Sequence, residues 1–211
     1  MQSCEQQELQ PPTDIDDEPA GLLRWATAGL HRQLDQRPPL RALLRPGVGP
    51  AQLAVVTDAF SRCFAWLDPA LASAERKGAL PAGCRPYQPR SAWLQPTATI
   101  EPQPAEALFG AAYWGARYVA EGSTLGSRVI LHRLQSVECL VPGALDYWRY
   151  QVDESAYWQA FRRALNDRLV SPAECRVAVA AARSVFGRFI DEFDIRGQPA
   201  AVRQGGACQT I

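Results

Sequence analysis

The chain has 211 residues, 47% of them hydrophobic, and its 22 basic and 22 acidic side chains cancel. That length holds one domain large enough to bury a core and an apolar ligand. The balanced charge gives no electrostatic basis for a nucleic-acid or anionic-membrane partner. Lys77 is the only lysine, so Schiff-base chemistry would have a single place to run. Cys4, Cys63, Cys84, Cys139, Cys175 and Cys208 are scattered without CxxC spacing or a Cys/His cluster, which speaks against zinc and iron–sulfur sites. The start is polar and acidic rather than signal-like, and no run of about 18 apolar residues exists, so the expected location is cytoplasmic, with reduced thiols.

Residues 1–17, rich in Gln and Asp, are predicted to be a flexible tail; 18–194 form one helical domain, and 195–211 a second flexible tail. Asp16 or Asp17 is placed to cap a first helix that Pro19 starts. Within it, Leu22, Ala26 and Leu30 recur at four-residue steps, an apolar stripe along one face. His31 flanks that stripe, and the only other histidine is His132. Arg24 lies two turns earlier at nearly the same angle, about 10 Å away at ~1.5 Å rise per residue. Asp35 lies one turn later, where its carboxylate can hold one ring nitrogen and leave the other free for a metal. On the residues alone, a structural or surface histidine fits this pattern better than a ligand does.

The first helix ends before Pro38-Pro39. A short helix is predicted around Leu40 to Leu44, stopping at Pro46-Gly47, and a longer one after Pro50 with Leu53, Val56, Phe60, Phe64 and Leu67 on one side. Residues 79–104 are proline-rich and should be irregular, with one helical turn near Trp93. Helical patterning resumes from Pro104 to about Gln135. There Gly122 and Gly126 stand one turn apart, each costing ~1 kcal/mol relative to alanine in a helix interior. They leave a face open to a flat object and a point at which the helix can bend; close helix packing or a helix end would account for them too. Pro142-Gly143 breaks the chain. A helix follows over Asp153 to Leu169, then a capping box at Ser171-Pro172-Ala173-Glu174 opens a last helix to about Asp194. No window shows strand alternation, so the fold class is all-α. The absence of a Glu-x-x-His pair disfavours a di-iron bundle.

The run of Arg24, Ala26, Thr27, His31 and Asp35 resembles the first core helix of haem oxygenases. The stretch YVAEGSTLG, Tyr118 to Gly126, resembles the distal-helix signature of the bacterial members found with bacterial phytochromes. AFRRALNDRLVSPAE and RVAVAAARSVFGRF resemble the family's C-terminal helix pair. The resemblance implies a single-domain bundle with a glycine-bent distal helix, and haem as both cofactor and substrate. The implied reaction is oxidative cleavage to biliverdin, carbon monoxide and ferrous iron, driven by an external donor of ferredoxin or reductase type, with a bacterial phytochrome as recipient of biliverdin. It also implies His31 as the iron ligand oriented by Asp35, Thr27 beside it, Arg24 and Arg162 on the propionates, Phe186 at the haem edge, and Gly122, Ser123 and Gly126 over the opposite face. Three departures stand out. Ser123 occupies the place of an aspartate in animal-type enzymes, Ser127 that of a further glycine, where it would crowd the haem or restrict the bend, and Trp158 that of a cationic residue. Ser123 and Ser127 motivate an alternative, a non-catalytic haem or bilin binder. Arg117, Arg128 and Arg163 are unassigned and read as solvated surface residues.

Overall fold

Proline opens four of the helices among the described residues. The computed structural model describes residues 18–80, 84–97, 99–100, 107–137 and 140–197, and every regular element among them is helical. Helix α1 (Pro19–Asp35) starts on a proline, where the missing N–H has no intrahelical acceptor in any case. Its cap differs from expectation. Asp16 and Asp17 lie outside the described residues, and Glu18 at the cap position makes no capping bond, its carboxylate accepting from Asn166 Nδ2 at 2.6 Å; the Ala20 N–H donates to Oδ1 of the same Asn166 at 2.9 Å, supplied by a distant helix. Helix α2 (Pro38–Leu43) begins two residues before the predicted Leu40, because Pro38 and Pro39 occupy a first turn that tolerates them. Helix α3 (Pro50–Arg76) buries the anticipated Leu53, Val56, Phe60, Phe64 and Leu67. The turn expected near Trp93 is a single 3-10 turn, Ser91–Trp93.

The helix expected from Pro104 to Gln135 is two helices, α4 (Ala111–Gly122) and α5 (Ser127–Leu134). The cause lies in the hydroxyls between them. Ser123 Oγ donates to the Ala120 carbonyl at 2.7 Å, and Thr124 Oγ1 to that of Glu121 at 2.7 Å. The N–H groups of Thr124, Leu125 and Ser127 then bond three residues back, tightening the chain into a turn. The helix expected over Asp153 to Leu169 also divides: its start belongs to α6 (Asp146–Glu154), which begins seven residues earlier than expected, and a 3-10 turn, Ser155–Tyr157, separates this from α7 (Trp158–Arg168). Helix α8 (Pro172–Gly197) opens with the predicted box: the Ser171 N–H donates to Glu174 Oε2 at 3.0 Å and the Glu174 N–H to Ser171 Oγ at 3.2 Å. It runs three residues past Asp194, so the expected tail boundary falls inside a helix, and 198–211 lie outside the described residues.

Helix α8 packs on α1, α3 and α4. Against α4 the two backbones nearly touch, since a Cβ on Gly115 would lie 1.9 Å from the Ala178 carbonyl oxygen. Against α3 the contact is aromatic, with Phe60–Phe193 and Phe64–Phe189 ring centroids 5.0 and 5.5 Å apart. The inner face of α4 also carries Arg117, which is 1% exposed and bonds Glu75, Glu121 and Tyr113. This overturns the surface reading of Arg117, whereas Arg128 and Arg163 are exposed. Among the described residues no helix is long and apolar enough to cross a membrane, and no three His, Cys, Asp or Glu side chains cluster as a metal site would need.

Candidate functional site

A cavity of about 750 Å³ lies between α1 and the α4–α5 turn, closed by residues of α6, α7 and α8. Its size falls within the ~300–1,000 Å³ typical of cofactor and small-molecule sites. Arg24, Thr27, His31, Asp35, Gly122, Ser123, Gly126, Arg162 and Phe186, drawn from four helices and a turn, all line it. His132 does not.

On the α1 wall, His31 Nδ1 sits 2.8 Å from Asp35 Oδ2 across one helical turn. This contact is the main cause of an imidazole pKa above its ordinary value, desolvation opposing it. Phe186 meets the ring edge-on at a centroid distance of 5.8 Å and fixes its plane. Nδ1 is thereby occupied, and the side chain remains 59% exposed, so Nε2 is the available nitrogen. Thr27 is buried and donates from Oγ1 to the Leu23 carbonyl at 2.7 Å, a bond internal to the helix.

On the facing wall, Gly122 ends α4 and Gly126 precedes α5, so they flank a turn rather than share one helix face as expected. A Cβ on Gly122 would meet only the Trp158 ring at 3.7 Å, and one on Gly126 would meet nothing within 4 Å. No protein neighbour therefore requires either glycine. Ser127 is buried, with Oγ 3.4 Å from the Ser123 carbonyl, so its side chain lies across the turn. Ser123 Oγ accepts from Gln151 Nε2 at 3.2 Å, and the same nitrogen donates to the Tyr147 hydroxyl at 2.9 Å. Tyr147 and Gln151 escaped the sequence reading because α6 buries one aromatic and amide face that has no aliphatic periodicity.

Three arginines, Arg24, Arg32 and Arg162, line the cavity against one carboxylate, Asp35, which His31 already occupies. Arg162 also lies 4.0 Å from Glu18. Trp158, in place of a cation, adds an apolar wall 5.5 Å from the Tyr118 ring. Burial pushes the Tyr118 phenol up, opposed by Arg24 and Arg162, so both guanidiniums act on one side of the site.

Residues 88–194 match the family model described as "Heme oxygenase", just over half of this chain. The chain belongs to the haem oxygenase family. The matched span begins after α3, so it contains the glycine turn and Arg162 but not His31. A heme oxygenase of Xanthomonas campestris pv. campestris (strain 8004) is 38% identical over 95 residues, 45% of this chain and 56% of that protein. The match thus spans little more than half of that relative's length. The solved heme oxygenase of Neisseria meningitidis, in NO- and CO-bound forms, superposes with a TM-score of 0.64 at 21% identity, covering 88% of this chain and 95% of that one. At that identity the likeness is one of fold, and the all-α architecture agrees with it.

Proposed function

We propose that this chain binds haem in the 750 Å³ cavity and cleaves it oxidatively to biliverdin, carbon monoxide and ferrous iron. The observation that carries the reading is the His31–Asp35 pair, which occupies Nδ1 and leaves Nε2 free on a residue that lines the cavity, with Gly122 and Gly126 among its other lining residues. The donor set suits haem: one neutral imidazole nitrogen, apolar and aromatic walls, and an excess of guanidinium for the ring's anionic edge. Haem, when bound, supplies the redox-active iron and is itself the molecule opened, with electrons from an external ferredoxin or reductase.

The chain's own residues orient and exclude. Asp35 fixes the tautomer of His31 and raises its basicity as a ligand, and Phe186 sets the ring plane. Arg24 and Arg162 attract propionates and thereby choose which edge of the ring faces the glycine turn. Each such partly solvated ion pair is worth ~1 kcal/mol, while burial of the apolar ring contributes several times more at ~25 cal/mol per Å². Gly122 and Gly126 admit a flat face close to the backbone.

A haem titration of the purified protein, followed by ascorbate under air, tests the proposal. A Soret band that gives way to the biliverdin spectrum is expected. His31→Ala should lose the histidine-ligated spectrum and regain it with added imidazole, and His132→Ala should change little. A His31→Ala spectrum identical to wild type would remove His31 as the ligand.

A further inference from the structure

Beside the glycine turn Ser123, Gln151 and Tyr147 form one hydrogen-bonded chain, and hydrogen counting assigns their roles. Ser123 has a single hydroxyl proton, committed to the Ala120 carbonyl at 2.7 Å. The Gln151 atom 3.2 Å from Ser123 Oγ must then be a donor, which identifies it as Nε2. Its second proton goes to the Tyr147 oxygen at 2.9 Å. Tyr147 therefore accepts from Gln151, and its own proton has no protein acceptor among the described residues. Gln151 Oε1, on a side chain 1% exposed, also lacks a partner. Burial holds the Tyr147 phenol well above its ordinary range, so it keeps that proton throughout the physiological range. Tyr147 and Ser123 both line the cavity, one as a donor and the other with only a lone pair to offer.

We propose that Tyr147 is the hydrogen-bond donor on the distal side of this cavity, and that Gln151 is the positioning residue that holds Tyr147 as donor and Ser123 as acceptor. The assignment rests on the haem-binding reading above. Ser123, at the position where an acid stands in animal-type relatives, is then a bystander to proton supply. Within this cavity the Tyr147 O–H is a proton left uncommitted to the protein among the described residues and free to be offered to a ligand.

Carbon monoxide on the ferrous haem protein is the probe, because a donor to its oxygen weakens the C–O bond and lowers the stretching frequency. Tyr147→Phe should shift the infrared C–O band to higher wavenumber, and Ser123→Ala should leave it in place. Gln151→Leu keeps the phenol but frees it, so the band should broaden and move part of the way in the same direction. This variant carries the test independently should Tyr147→Phe fail to fold. A shift in Ser123→Ala with none in Tyr147→Phe would overturn the donor assignment, and a wild-type band in Gln151→Leu would overturn the positioning role. If the wild-type protein gives no CO-sensitive Soret band, the haem reading itself fails and this proposal falls with it. That result is distinct from a reversed mutant pattern.

Discussion

At His31 a carboxylate one turn away holds the ring of a side chain still 59% exposed, and this pair titrates in a readable window. The folded-state pKa is raised, chiefly by the hydrogen bond to Asp35, so the folded chain holds the imidazole proton more tightly than the unfolded chain does. The resulting stabilisation is fully present below about pH 6.5, the unperturbed imidazole value, and is lost as pH rises through the folded value. Thermal unfolding of ligand-free protein should therefore separate wild type from Asp35→Asn most widely below pH 6.5, with the two curves converging above the raised pKa. A gap that widened with pH would contradict this account. The pair was legible in the sequence because the i,i+4 relation is fixed by the helix itself. Tyr147 and Gln151 were not, since the contacts that matter to them run between α6 and the α4–α5 turn, 28 residues apart for Gln151 and Ser123.

Two glycines of α4, Gly115 and Gly122, look alike in sequence and differ in what surrounds them. Gly115 is required by packing, because any side chain there would enter the Ala178 backbone. Gly122 is not required by packing, its hypothetical Cβ being in ordinary contact with Trp158. Gly122→Ala should then leave ligand-free stability unchanged or raise it by about 0.4–1 kcal/mol, while weakening haem binding as the methyl enters the cavity. Gly115→Ala should cost at least 1–3 kcal/mol in urea unfolding, as overpacking does. Equal effects of the two on stability would show that Gly122 serves packing after all. Helix starts at Pro19, Pro50 and Pro172 were readable because proline fixes φ and removes a donor wherever it stands. The break after Gly122 was not, because Ser123 and Thr124 end a helix only when their hydroxyls turn back onto its carbonyls, a choice that an apolar repeat does not record.

Across the whole molecule, charge buried behind the cavity joins α3, the segment around Arg85 and Arg90, α4 and α6. Glu121, 2% exposed and immediately before Gly122, accepts from Arg90 Nη2 at 2.7 Å and from Arg117 Nε at 3.1 Å. Arg117 reaches Glu75 at 3.1 Å and the Arg85 carbonyl at 2.8 Å, while Arg85 and Arg90 both reach Glu154. Three guanidiniums thus face three carboxylates. Such a set adds little net stability over an apolar core, but removing one member leaves a buried charge unpaired, at a cost of about 3–5 kcal/mol. Arg90 is the more vulnerable partner of Glu121, since the hydrogen bonds left to it are those to the Tyr150 hydroxyl at 2.9 Å and Glu154 at 3.4 Å. Glu121→Gln should therefore lower Tm by on the order of 10 °C, at ~2–4 °C per kcal/mol for a domain of this size. The double variant Arg90→Met, Glu121→Gln should lose clearly less than the sum of its singles, because the second change removes the charge that the first left unpaired. Single-variant losses that add to within ~0.5 kcal/mol would mean the two side chains do not depend on each other, and the cluster would not be what anchors the end of α4 at the cavity.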